Sequence, residues 1–257
     1  MIHMRNIREE IENELKKIEE TEHVKILLAV ESGSRCWGVE SPDSDYDVRF
    51  VYVHDKNYYL QLQEHKDIIE WQLDEVLDIN GWDLDKTLRQ IHKGNAAVFE
   101  WLNSSIVYKN TKEWEEIVPL LKSYFSKKVA IHHYNGTAKS TFLKYLQESD
   151  VRYKKYIYAL RPLLACTYIE NYQQIPPVLF RELTEKCLPE ELEEPVRKML
   201  EIKAQTDEKV LNPQIPEIIH YIEERIQYYE SEFKMEDDRN PDWEVLNQIF
   251  LKLICNN

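Results

Sequence analysis

Glu31-Ser32-Gly33-Ser34-Arg35, running on to Ser41-Pro42-Asp43-Ser44-Asp45-Tyr46-Asp47-Val48-Arg49-Phe50, carries the strongest pattern in the chain. It joins one apolar run, residues 24–30, to a second, and it holds a Gly-Ser turn followed by two carboxylates one residue apart. Alternate residues of a strand share a face, so Asp45 and Asp47 point one way while Tyr46, Val48 and Phe50 point into a core. Two like charges side by side on such a strand repel each other unless a cation neutralises them.

Outward from this stretch the elements alternate. Ile7, Ile11, Leu15 and Ile18 recur at helical spacing among charges, which predicts an amphipathic helix over 7–20 covering one side of a sheet. Residues 24–30 form a short continuous apolar run, the pattern of a strand buried on both faces. The Gly-Ser turn ends it; a brief helix over 34–39 and a turn cluster over 40–44 lead into a strand over 46–53. A polar, tyrosine-rich segment (55–63) precedes strands over 67–71 and 76–82, with Gln72-Leu73-Asp74-Glu75 as their hairpin turn. Asp83 reads as the N-cap of a helix through Lys93 that Gly94 terminates. A second short helix over 96–102 and an edge strand over 105–108 follow.

From residue 111 the pattern is helical, with breaks at Pro176-Pro177, Pro189, Pro213, Pro216 and Asn240-Pro241. Helices are expected over 111–125, 127–149, 151–171, 177–186, 189–204, 216–235 and 241–254. The predicted class is α+β: a mixed sheet flanked by helices over 1–110, then an all-α domain over 111–257 closing over a cleft.

The 257 residues are 43% hydrophobic and 31% charged, a globular composition. No apolar run is long enough to span a bilayer and the first residues hold no apolar signal core, so a soluble, cytoplasmic protein with no membrane partner is expected. Cys36, Cys166, Cys187 and Cys255 lie far apart without a C-x-x-C pair, which suits a reducing compartment and neither a zinc site nor a disulfide framework. The net charge of −14 argues against wholesale electrostatic wrapping of nucleic acid, and an acidic protein that handles phosphates needs metal ions or a confined set of cations.

Gly33 gives backbone room for a ligand, Ser34 adds a hydroxyl and an N–H, and Arg35 adds a cation, a set able to hold phosphate oxygens. A Gly-Ser turn alone is commonplace. The ordered series of apolar strand, Gly-Ser, short interval, Asp-x-Asp and apolar strand is the layout that phosphoryl transfer with two divalent cations requires.

Gly33-Ser34 with Asp45-Tyr46-Asp47 resembles the signature of the DNA polymerase beta-like nucleotidyltransferase superfamily. Within it, Asp78-Ile79-Asn80-Gly81-Trp82-Asp83-Leu84, Lys93-Gly94-Asn95 with Glu100-Trp101-Leu102, and Tyr156-Ile157-Tyr158-Ala159-Leu160-Arg161-Pro162-Leu163-Leu164 are similar to blocks of the RlaP family of RNA-repair nucleotidyltransferases. The resemblance spans about residues 20–250 and implies a polymerase-beta-like catalytic domain. It implies that Asp45 and Asp47 hold two Mg²⁺ (or Mn²⁺) ions, that a third carboxylate on a later strand completes the metal site, and that Gly33 and Ser34 grip the β,γ-phosphates of a nucleoside triphosphate. Asp78, inside a strand-like apolar run, is the first choice for the third acid; Asp83, placed for helix capping, is its competitor, and Asp74 sits in the turn. The implied reaction is in-line attack of an acceptor hydroxyl on the α-phosphate. The acceptor is an RNA end, alternatively a protein hydroxyl, and a catalytically silent nucleotide-binding module is the reading from another class.

Lys154, Tyr158 and Arg161 share a helix face at i, i+4 and i+7, with Lys144 and Arg152 able to extend it. They read as a basic, aromatic rim for triphosphate or nucleic acid, or as a solvated face. His132 and His133 are adjacent and cannot share a metal from one helix face. Glu100 reads as a structural pairing partner, alternatively as a buried acid linking two domains, Asn95 as a cap, and Cys36 lacks a partner base for a nucleophilic role. The 16 tyrosines suit base stacking or half-buried packing.

Overall fold

A helix, α1 (Ile7–Glu22), starts at Asn6, whose side chain accepts from the Glu9 N–H, and stops where His23 turns left-handed. The structure, a computed structural model, describes residues 6–41, 43–72, 76–207, 210–237, 239 and 241–255. The expected hairpin turn at 73–75, with Asp74, and the break at Asn240 lie outside the described residues. After α1 come β1 (Val24–Ser32), α2 (Gly33–Cys36), β2 (Tyr46–His54), α3 (Lys56–Tyr59), β3 (Ile68–Gln72), β4 (Leu77–Asp83), α4 (Leu84–Lys93), α5 (Ala96–Trp101) and β5 (Val107–Asn110).

The strands form one mixed sheet in the order β3-β4-β2-β1-β5. β2 lies between β1, to which it is antiparallel, and β4, to which it is parallel. One face carries α1: Ile11, Leu15 and Ile18 pack on Ile26, Val48, Phe50 and Ile79. Asp83 caps α4 by accepting from the Asp85 N–H, and Gly94 ends that helix at φ +76°.

The remaining elements are α6 (Lys112–Lys122), α7 (Lys127–Tyr145), β6 (Asp150–Val151), α8 (Tyr153–Tyr172), α9 (Phe180–Cys187), α10 (Glu190–Gln205), β7 (Asn212–Pro213), α11 (Pro216–Ser231) and α12 (Trp243–Cys255). The expected α+β class, with its mixed sheet and helical C-terminal region, is what the chain adopts. Two details differ. The helix expected to 149 stops at Tyr145, because β6 pairs with β7 and Gln214 donates from its N–H to the Ser149 carbonyl and from its side chain to the Leu146 carbonyl. The core also divides elsewhere than at residue 110. α6 and α12 join α4 and α5 on the second face of the sheet, where Leu88, Phe99, Trp114, Leu121, Leu246 and Ile249 pack with Leu27, Val51 and Val53. α7 to α11 build a separate core of their own. A sheet with only α1 over it would leave a large apolar face in water, and α12 packs beside α4, α5 and α6 to complete its burial. Among the described residues no helix is long and apolar enough to cross a membrane.

Candidate active site

β1 ends at Ser32, and Gly33 turns the chain at φ +62°, a conformation costly for any residue with a Cβ. A Cβ there would come within 2.2 Å of Asp47 Oδ2, so glycine is also required by the close approach of that carboxylate. Ser34 is buried at the start of the single turn of α2. Arg35 does not point freely into solvent. Its Nε donates to the Asp45 carbonyl at 3.1 Å, a terminal nitrogen donates to the Ser44 carbonyl at 2.7 Å, and its guanidinium lies 3.7 Å from the Tyr46 ring centroid. Arg35 thus staples the turn to the entry of β2.

Asp47 and Asp78 are direct register partners on the parallel strands β2 and β4. Asp45 lies just before β2 with an exposed side chain, close enough that its charge raises the Asp47 pKa. The cation that relieves the acids is Arg49, two residues beyond Asp47 on the same face. One of its nitrogens donates to Asp47 Oδ1 at 3.2 Å and to Asp78 Oδ2 at 2.8 Å, and the other to the carbonyls of Val48 and Asp78. Asn80 donates to the second Asp78 oxygen at 2.7 Å. Burial raises the Asp47 pKa, Arg49 and Lys154 lower it, and Asp78 and Asp45 raise it further.

Behind Asp47 sits a carboxylate to which the sequence assigned no role. Glu31, 1% exposed, accepts from the Asp47 backbone N–H at 2.8 Å and from the Tyr108 hydroxyl at 2.5 Å. Desolvation pushes its pKa up, against these two hydrogen bonds. The available signal was its place as the one acid closing an apolar strand.

The helical region reaches this end of the sheet at two points. Lys203 of α10, 5% exposed, donates to the Val39 carbonyl at 2.7 Å and to Ser41 Oγ at 2.6 Å, clasping the loop between the Gly-Ser turn and Asp45. On α8, the shared face of Lys154, Tyr158 and Arg161 grades from half-buried to buried. Arg161 is 3% exposed, pairs with Glu100 at 2.9 Å, donates to the Val178 carbonyl and lies 4.5 Å from the ring centroid of Trp37. It joins α5, α8 and the turn after α2, and the half-buried Glu100 serves as its structural partner. Tyr158 meets the Trp37 ring edge-on at 5.1 Å.

Other candidates are placed apart. Asp83 stands at the opposite end of β4 from Asp78 and with opposite strand parity, as a helix cap. His132 and His133 are exposed on α7, and Cys36 is buried beside Ser104 with its thiol pKa raised by desolvation.

The donors gathered here are carboxylate oxygens, the ligand type that Mg²⁺ and Mn²⁺ take. A single Arg49 nitrogen within hydrogen-bond distance of both shows that Asp47 and Asp78 converge on one cation-sized position, so the pair fits a divalent ion. Among the described residues no group of three or more His, Cys, Asp or Glu surrounds a single such position, and Asp45 stands outside the pair.

Comparison with known proteins gives three findings. The model of RlaP, described as the RNA repair pathway DNA polymerase beta family, matches residues 7–252. The chain is 39% identical over 251 residues to the uncharacterized protein YcgL of Bacillus subtilis (strain 168), spanning 96% of each. It is also similar to the crystal structure of a nucleotidyltransferase-like protein from Exiguobacterium sibiricum 255-15, at 13% identity and a TM-score of 0.31 over 95% of this chain and 87% of that one.

Proposed function

The chain belongs to the RlaP family, the RNA repair pathway DNA polymerase beta family, and from that premise we propose that it is a metal-dependent nucleotidyltransferase. It transfers a nucleoside monophosphate from a nucleoside triphosphate to a hydroxyl at an RNA end. The observation that carries the reading is the convergence of Asp47 and Asp78 on one position beside the Gly33 turn.

Asp47 and Asp78 would hold the divalent ion, with Asp45 at the mouth of the site supplying a further carboxylate for a second. When bound, such ions neutralise the triphosphate and stabilise charge on the attacking and leaving oxygens. The Gly33-Ser34 backbone and the Ser34 hydroxyl would grip the β,γ-phosphates, and Lys154, whose charge already lowers the Asp47 pKa, would add a cation on the helical side. Asp78 would accept the proton of the attacking hydroxyl. The acceptor oxygen bonds to the α-phosphorus while the bond from that phosphorus to the bridging oxygen breaks, and pyrophosphate leaves. Glu31 would hold the Asp47 backbone through the N–H it accepts, and Arg49 keeps the carboxylates together until another cation takes its place.

Incubation with each of the four labelled triphosphates, Mg²⁺ and a cellular RNA pool tests this. Label is expected in nuclease-sensitive material, with pyrophosphate released, and the Asp45→Ala, Asp47→Ala double variant is expected to lose at least about 10³-fold in rate. Transfer that persists in the double variant would remove these carboxylates from the mechanism. Label resistant to nuclease and removed by protease would make the acceptor a protein.

A further inference from the structure

Cations and aromatic rings alternate along the junction of α7 and α8. Lys144 lies 5.0 Å from the centroid of the Tyr145 ring; Lys155 lies 4.2 Å from that ring and 5.3 Å from the Tyr158 ring; Lys154 lies 5.8 Å from the Tyr158 ring. Tyr158 meets Trp37 edge-on, and Trp37 carries the guanidinium of Arg161 on its other contact. The series therefore starts on the surface and ends at the residue that caps α2, next to the Gly-Ser turn. Its outer end is open: Tyr145 is 39% exposed, and Lys144 and Arg152 are exposed. Lys144, Lys155 and Arg152 all bear on the Tyr145 phenol and lower its pKa. The short connection between the helices also carries the acids Glu148 and Asp150.

In a chain of net charge −14, this concentration of positive charge, interleaved with stacking surfaces and aimed at the carboxylates, is out of keeping with the average surface. Single-stranded nucleic acid is bound by that combination, with rings taking base faces and cations following the phosphates. A bound triphosphate needs its cations at the Gly-Ser turn. It does not account for Lys144 and Tyr145, which lie beyond Trp37, Tyr158 and Lys155 from that turn. A strand entering from the surface accounts for the whole series.

We propose that Lys144, Tyr145, Lys155 and Tyr158 form the track along which the 3′-terminal nucleotides of a single-stranded RNA acceptor approach Asp47 and Asp78. The inference rests on the nucleotidyltransferase reading and adds the form and path of the acceptor. Tyr145 stacks on an unpaired base, Tyr158 on the next one inward, and Lys155, shared by both rings, pairs with the phosphate between them.

Fluorescence anisotropy of the whole chain with a labelled single-stranded RNA dodecamer, and with the same sequence as a blunt duplex, tests the track. Single-stranded RNA is expected to bind more tightly than the duplex. Tyr145→Ala should weaken it by roughly 5- to 150-fold, the range of one base–aromatic stack, while Tyr145→Phe restores binding. Lys144→Ala with Lys155→Ala should lower the slope of log affinity against log salt by about 1.4, two single-strand phosphate contacts. Equal binding of duplex and single strand, or Tyr145→Ala and the double lysine variant binding as the parent does, overturns the proposal. Calorimetric titration with a triphosphate and Mg²⁺ separates the two failures. Absence of metal-dependent triphosphate binding in the unaltered chain defeats the nucleotidyltransferase reading and the track with it. Normal triphosphate binding with RNA affinity insensitive to the variants defeats the track alone.

Discussion

β2 and β4 run side by side with Asp47 opposite Asp78 at one end and Tyr52 opposite Asp83 at the other, and the two ends relieve a carboxylate in different ways. At the first end the acids are partly open to solvent and a guanidinium holds them together. At the second, Asp83 is 3% exposed, accepts from the Asp85 N–H and the Tyr59 hydroxyl, and desolvation lifts its pKa to about 7. A buried carboxylate engaged by its own donors offers little to an added ion, whereas an arginine on a half-open surface can give way to one. The strand pair thus separates a carboxylate set suited to binding a cation from one that caps a helix.

Three substitutions test this contrast. The largest effect is expected from Gly33→Ala, which puts a methyl group where Asp47 Oδ2 lies and forces a non-glycine residue to φ +62°. Displacing the carboxylate by about an ångström should lower kcat by roughly 10²-fold, read by single-turnover transfer, with less change in KM for the triphosphate. A rate near that of the parent would mean that Asp47 does not act from this position.

Asp83→Asn comes next and probes the far end. The folded pKa, about 7, exceeds the usual carboxylate value, so the folded state keeps a proton the unfolded chain has released between about pH 4 and pH 7. Stability carried by this group is therefore full below about pH 4 and is lost as pH rises through about 7, by roughly 1.4 kcal/mol per pH unit. Urea unfolding at pH 5, 6 and 7 should show a flatter dependence for Asp83→Asn than for the parent; identical slopes would mean that Asp83 is already ionised across the range.

The smallest effect belongs to Arg49→Gln. Removing the tethered cation from two half-exposed carboxylates is expected to tighten Mn²⁺ binding, measured by electron paramagnetic resonance without nucleotide, by about fivefold, the scale of one exposed ion pair. It should also lower the melting temperature of the metal-free chain and increase the gain on adding Mn²⁺. Weaker Mn²⁺ binding in the variant would mean that Arg49 supports the ion's site and does not compete for it.

Much of this was legible in residue order because it is set over short range. Strand parity placed Asp47 on the face opposite Val48 and Phe50, both fully buried. Asp83, Gly94 and Asn95 announced their caps, and the caps formed. Arg49 was equally local, at i+2 from Asp47, and went unread because an arginine in an apolar strand looks like an edge residue until its two acceptors are brought together. Glu31, Lys203 and the burial of Arg161 were not legible, since each depends on a partner many residues away: Tyr108 for the first, Val39 and Ser41 for the second, Glu100 and Val178 for the third.

Residue order alone settles the strand-turn-strand unit, the Gly-Ser turn and the strand parity of Asp47, because backbone periodicity and the steric freedom of glycine act within a few residues. The pairing of Asp78 with Asp47, the return of α12 over the sheet and the grip of α10 on the loop before Asp45 depend on the whole fold. Those choices follow from burying apolar area and pairing buried polar groups, which are summed over the whole molecule, and no local pattern contains them.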